Sequence, residues 1–212
     1  MGFNSSRDGA FKLAVLSNLH KVVDSTVNRN LNHLGRHSEN VQIISSGIAE
    51  NFGVKLPERQ ILKYGALLHD IGKMSVPADI LNTSRALTSV EFEIIKTHTM
   101  SGWHTLNFFH GIPTEIKALA LSHHHRNGHG YPKQFIYKIE IDPLLIDILT
   151  VADSFAAIIE PRVYKKPLSE TQALAVINNP DNDKNAGLNR GVVEVLEYLV
   201  GDGKINLNSF FN

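Results

Sequence analysis

The 212-residue sequence has no cysteine, a 42% hydrophobic fraction and equal numbers of basic and acidic side chains, 21 of each. It can fill a sizeable core without disulfides, and any metal it holds must be bound through nitrogen and oxygen. A formal charge of zero gives no global attraction to long nucleic acid, no apolar run reaches the roughly 20 residues of a bilayer span, and Met1 to Asp8 lacks an apolar signal core, so a cytoplasmic location is expected.

Helical periodicity dominates from the start. A first helix is predicted from about Asp8 to Asn28, with Phe11, Val15, Leu19 and Val22 on one face, and a second from about Leu31 to Phe52, closed by Gly53. Pro57 suits the first turn of a third helix ending near His69-Asp70, where Gly72 is expected to allow a turn. Residues 73–87 are turn-rich, with room for one helical turn at Pro77 to Leu81. Thr88-Ser89-Val90-Glu91 reads as a capping box for one helix running through His98 to about Asn107. Pro113-Thr114-Glu115 opens the next, which ends at His123-His124-His125.

The loop Asn127 to Pro132 is rich in glycine, and Asp142-Pro143 then starts a strongly apolar helix through Asp153 to about Ile159. Ser169 to Gln172 is a second capping box, and a last helix lies near Asn189 to Val200. Alternating strand patterns are scarce, so the fold class is all-α: a compact helical bundle over 31–212 behind an N-terminal helical extension or connector over 1–30. The apolar stripe of that first helix would need cover, which makes a homodimer through it a candidate arrangement.

The chemistry lies in the ordered histidines and aspartates. His33 and His37 are one helical turn apart and can face one point. His69 and Asp70 share a helix end, His98 lies inside a helix, and His123 and His124 sit where a helix opens into a loop. Asp153 falls within Ile148-Leu149-Thr150-Val151-Ala152-Asp153, where a carboxylate is costly to bury unless it is paired or metal-bound. A lone histidine is usually solvated or hydrogen-bonded, which is the reading for His20, His104, His110 and His129. The combination is different, and its nitrogen and oxygen donors favour iron, manganese, nickel or zinc.

His69-Asp70-Ile71-Gly72-Lys73, Lys96-Thr97-His98 with Gly102 beyond, His123-His124, Gly130-Tyr131-Pro132 and Val151-Ala152-Asp153 together resemble the HD-GYP domain, a branch of the HD phosphohydrolases that degrade cyclic di-GMP. The resemblance runs from about His37 to the C-terminal helix. It implies an HD-type helical bundle with the GYP loop at the site. It also implies metal ligands at His37, His69, Asp70, His98, His123, His124 and Asp153, with Asp70 as the bridge between two divalent ions, iron or manganese before nickel or zinc. Lys73 matches a phosphate-contacting lysine, Arg162 and Lys165 match basic residues that hold phosphate or nucleotide, and Tyr131 would line the substrate entrance. Arg162 and Lys165 equally fit a solvated basic face. Trp103 and Tyr164 are further candidates for stacking on a base, although Trp103 at a helical position also fits the core.

The activity implied is hydrolysis of cyclic di-GMP to pGpG, and onward to GMP, by a two-metal-activated hydroxide, with Asp70 and Lys73 as the catalytic pair. The chain departs from the family pattern in three places. His125 and Asn127 replace carboxylates of the loop, Ala156 stands where a second aspartate is common, and His33 takes the place of a glutamate found in members with a third metal. His33 is thus a further candidate ligand, and the third ion stays open. The lost loop carboxylates keep two alternatives in play: a cyclic-dinucleotide sensor or scaffold without turnover, and a phosphohydrolase of another nucleotide. A regulatory domain upstream in a longer protein is also expected.

Overall fold

The computed structural model describes residues 34–127, 129–132, 140–160, 168–179 and 186–205. The first predicted helix, with the dimer surface it suggested, and His33, Arg162, Tyr164 and Lys165 lie outside the described residues. Helix α1 spans Leu34–Asn51, α2 Leu56–Leu68, a 3-10 turn Ile71–Ser75 and α3 Ala78–Leu81. Then follow α4 (Ser89–Lys96), α5 (His98–Asn107), α6 (Thr114–Ser122), α7 (Pro143–Ile159), α8 (Glu170–Asn178) and α9 (Arg190–Gly201). The described residues are helical or irregular and contain no strand.

Helix α7 is the axis of the bundle. Asp142 caps its start by accepting from the Leu144 amide at 2.9 Å, and Pro143 occupies the first turn, where its missing N–H costs nothing. Beyond that, Ile148, Leu149, Val151, Ala152, Phe155, Ala156 and Ile159 are wholly buried, as expected of a helix that is apolar on nearly every side. Burial of Ile148, Leu149 and Phe155 contributes roughly 1.5–3 kcal/mol each. Helices α1, α2, α6, α8 and α9 all pack on α7.

Helix α1 presents Val41, Ile44 and Ile48 inward at the three- and four-residue spacing of one helical face. It ends as expected at Gly53, whose φ of 68° is left-handed. Gly53 donates to the Glu50 carbonyl and Val54 to the Ala49 carbonyl, both at 3.0 Å, which is the Schellman pattern. Both predicted capping boxes are present, at Thr88/Glu91 and at Ser169/Gln172.

One expectation is corrected and a second acquires a different physical reason. The helix expected to run from Thr88 through His98 is two helices, α4 and α5, broken at Thr97, whose amide reaches back to the Ile94 carbonyl in a tightened final turn. The break turns His98 into the first residue of α5 rather than a mid-helix position. The turn is there, but Gly72 is not among the left-handed glycines of the described residues, which are Gly53, Gly111, Gly187 and Gly203. It is needed for contact: a Cβ there would sit 1.9 Å from the His98 carbonyl oxygen and 2.4 Å from the Gly102 amide. The 3-10 turn thus lies backbone to backbone on α5, and this brings His69-Asp70 to His98.

Candidate metal centre

Five elements converge on one buried pocket of donors. His37 comes from α1, His69 caps the C-terminus of α2, Asp70 follows it, His98 opens α5, His123 caps the C-terminus of α6 with His124 next, and Asp153 comes from α7. The side-chain donors form two groups, His37/His69/Asp70 and His98/His123/His124, each with its atoms within 4.8 Å of one another.

Three of the histidines are locked by the same local device. His69 donates Nδ1–H to the Ala66 carbonyl at 2.7 Å, His98 to Ile95 at 2.7 Å and His123 to Ala120 at 3.0 Å. Each bond spans three residues and reaches back to a carbonyl in the last turn of the preceding helix. With the proton on Nδ1, each Nε2 offers a lone pair to the centre. His98 Nε2 and His123 Nε2 then face each other at 3.1 Å. Burial lowers the pKa of His98 to about 3, against the opposing pull of Asp70, and burial likewise lowers that of His123. Two neutral nitrogens without protons in such proximity repel, unless a cation lies on them.

The carboxylates are arranged to match. Asp70 Oδ2 lies 3.3 Å from His69 Nε2 and 3.9 Å from His37 Nε2, while its Oδ1 lies 3.3 Å from His98 Nε2 and 3.7 Å from His123 Nε2. Asp153 Oδ1 lies 3.0 Å from His37 Nε2 and 3.8 Å from His69 Nε2, and its Oδ2 is 3.6 Å from His124 Nδ1. Burial pushes both carboxyl pKa values up, yet the balance holds both well below the usual range, through Lys73 and His69 for Asp70 and through His37 and His124 for Asp153. His69 Nε2 and Asp70 Oδ1 are buried without a hydrogen-bond partner. Such orphaned atoms cost free energy unless a ligand satisfies them. The donor set, two ionised carboxylates with imidazoles of which His98, His123 and His124 are held neutral by burial, fits divalent cations.

The remaining expected residues fall unevenly. Lys73 reaches Asp70 Oδ2 at 2.5 Å, so its ammonium is placed on the carboxylate as the chain stands. The Tyr131 ring lies 4.5 Å from the His124 ring, tilted by 35°, and 6.2 Å from that of His98. Gly130 permits this fold-back, since a Cβ there would fall 1.7 Å from the His124 carbonyl oxygen. Trp103 is buried, in keeping with a core role. His104 and His110 are exposed, as expected of bystanders.

Three residues escaped the sequence reading. Glu160, just past the end of α7, accepts from His37 Nδ1 at 2.8 Å and from Asn40 Nδ2 at 2.7 Å. With Asp153 also on its Nε2, His37 has its pKa raised to about 10; burial opposes this and is outweighed by Glu160 and Asp153. A signal was present for Asn40, one helical turn beyond His37 and so on its face, but not for Glu160, whose backbone has left the helix for an extended conformation. Arg126 donates to Ser154 Oγ at 3.1 Å and ties the loop after His125 to α7, with its pKa lowered by burial. A basic residue in a polar loop gives no such signal.

The HD domain family profile matches residues 21–185, and the chain belongs to that family. It is 41% identical over 139 residues to a cyclic di-GMP phosphodiesterase of Thermotoga maritima, covering 64% of this chain and 37% of that protein. It is 33% identical over 141 residues to the cyclic di-GMP phosphodiesterase response regulator RpfG of Xanthomonas campestris, covering 66% and 37%. A 3'3'-cGAMP-specific phosphodiesterase of Vibrio cholerae is 30% identical over 142 residues, covering 65% and 26%. The chain thus spans well under half the length of these relatives. In fold it is similar to Bd1817, an HDG"Y"P protein from Bdellovibrio bacteriovorus, with a TM-score of 0.65 at 14% identity over 89% of this chain and 64% of that one. It is also similar to the HD domain of the phosphodiesterase PgpH from L. monocytogenes in complex with cyclic-di-AMP, with a TM-score of 0.61 at 18% identity over 87% and 96%. No helix among the described residues is long and apolar enough to cross a membrane.

Proposed function

We propose that this chain is a metal-dependent phosphodiesterase that opens cyclic di-GMP to pGpG and carries it on to GMP. One observation supports the metal part above all: the unprotonated nitrogens of His98 and His123 confront each other at 3.1 Å beside an ionised, partnerless Asp70 oxygen. The substrate is supported by the named activities of the Thermotoga and Xanthomonas relatives.

In this reading His37, His69, Asp70 and Asp153 would hold one divalent ion. His98, His123 and His124 would hold a second, with Asp70 shared between the two groups. Iron or manganese is the expected pair, and such ions, when bound, lower the pKa of water and neutralise charge on a phosphodiester. The chain's own residues do the rest. Lys73 keeps Asp70 ionised and, when it turns from that carboxylate toward substrate, can hold a phosphate oxygen. The carbonyl bonds of His69, His98 and His123 fix which nitrogen faces the site. Tyr131 walls the outer side of His124 and offers its ring to a base. Arg162 and Lys165 are assigned to the second phosphate or the nucleotide.

The test is turnover by anaerobically purified protein loaded in parallel with iron(II) and manganese(II), with products separated by chromatography. Cyclic di-GMP should yield pGpG and then GMP, and His69→Ala should abolish both. The Vibrio relative and the PgpH complex make 3'3'-cGAMP and cyclic-di-AMP the comparison substrates. Faster cleavage of either would reassign the substrate and leave the chemistry intact. No product from any of the three, with metal bound, would move the chain to a binding role.

A further inference from the structure

His37 differs from the other histidines of the centre in what holds its far nitrogen. His69, His98 and His123 each donate Nδ1–H to a neutral backbone carbonyl. His37 Nδ1 instead meets a carboxylate, Glu160 Oε2 at 2.8 Å. The other Glu160 oxygen accepts from Asn40 Nδ2 at 2.7 Å, and His37, Asn40 and Glu160 are all buried. The carboxylate is thereby fixed by two hydrogen bonds from one face of α1, although it comes from the far end of α7. A carboxylate on the distal nitrogen orients a ligand imidazole and raises its basicity, and such outer partners typically alter metal affinity 10–100-fold.

We propose that Glu160, held by Asn40, is a positioning residue that acts through His37 and makes the two metal positions unequal. It strengthens the one built on His37, His69 and Asp153. At the other position His98 and His123 are backed by carbonyls and His124 Nδ1 has Asp153 Oδ2 at 3.6 Å, beyond hydrogen-bond range, so no carboxylate hydrogen bond like that of Glu160 supports it among the described residues. Glu160 gives that end of the pocket a further negative charge without occupying a place on the ion. The proposal rests on the metal-binding part of the reading above and is independent of the substrate.

Manganese(II) titration of the metal-free chain, followed by equilibrium dialysis and by the spin-resonance signal of the bound ion, tests it without any nucleotide. Wild type should bind two equivalents with distinguishable affinities. Glu160→Ala should weaken one of them 10–100-fold and leave the other in place. Glu160→Gln keeps the shape and an acceptor for His37 but not the charge, so it should weaken the same equivalent by less. In a His37→Ala background, Glu160→Gln should add no further loss, as expected of residues that act as one unit. If Glu160→Ala does not fold, as judged by helical circular dichroism, Glu160→Gln alone decides. Unchanged binding in Glu160→Gln, an equal loss of both equivalents, or a loss that persists without His37 would each overturn the proposal while wild type still binds two ions. A wild-type chain that binds no manganese would overturn it together with the metal reading.

Discussion

Asp70 and Asp153 meet at His69: Oδ2 of the first and Oδ1 of the second lie 3.3 and 3.8 Å from the same Nε2. Their remaining oxygens both turn toward the second histidine group, Asp70 Oδ1 to His98 and Asp153 Oδ2 to His124. Two buried anions this close to each other are tolerated only because imidazoles, Lys73 and, on our reading, cations surround them.

Asp70→Ala should therefore remove metal retention and turnover together. The expected drop in turnover is more than about 100-fold, beyond the range typical of an outer partner. Metal content by mass spectrometry of the purified variant is the check. Wild-type stoichiometry in that protein would refute the bridging role.

Gly72→Ala should destabilise the fold and displace His98 at once. The added Cβ meets backbone, the His98 carbonyl at 1.9 Å and the Gly102 amide at 2.4 Å, so no side chain can move aside to relieve it. A cost of about 1–3 kcal/mol is expected, as for other overpacked sites. Gly201→Ala is the control: it lies at the end of α9, and a Cβ there meets nothing within 4 Å. Urea unfolding of both should show a loss for Gly72→Ala and none for Gly201→Ala.

Thr88→Ala should cost about 1 kcal/mol, since Thr88 Oγ1 accepts from the Glu91 amide at 3.2 Å and Glu91 Oε2 from the Thr88 amide at 2.8 Å. The loss would fall on α4, which carries Lys96 to the rim near Tyr131, with its ammonium 5.8 Å from the ring. A melting temperature equal to wild type would mean that α4 is held by tertiary packing alone.

Much of this arrangement was legible because five of its seven candidate donors, His69, Asp70, His98, His123 and His124, sit at helix ends, and helix ends are what sequence marks best. Pro57, Pro113 and the Thr88 box fixed starts, and the histidines at 69 and 123 fell where the apolar periodicity stopped. The break at Thr97 was not legible. Ser89 to Asn107 carries no glycine or proline before Gly102, and the start of α5 packs backbone to backbone on Gly72, a partner distant in sequence. For the same reason Gly72 was read as a local turn residue when its constraint is tertiary. Glu160 was passed over because a carboxylate at a helix C-terminus usually faces water. Only the meeting of α1 with α7 gives it His37 and Asn40.

The metal-free chain should be most stable near neutral pH, from opposing histidines. His98 is depressed from 6.5 to about 3 by burial, and burial also lowers His123 and His124. Such groups contribute in full above 6.5. As pH falls, the unfolded chain takes up their protons first, so stability declines from about 6.5 toward 3. His37 has the reverse sign: burial is outweighed by Glu160 and Asp153, and its pKa rises to about 10. Its contribution is complete below 6.5 and is lost as pH climbs from there toward 10, because the unfolded chain releases the proton first. Thermal midpoints in chelator at pH 5, 6.5 and 9 should therefore peak at the middle value, and His37→Gln should flatten the alkaline limb. A midpoint that kept rising to pH 9 in the wild-type chain would show that His37 is not held as an imidazolium between Glu160 and Asp153.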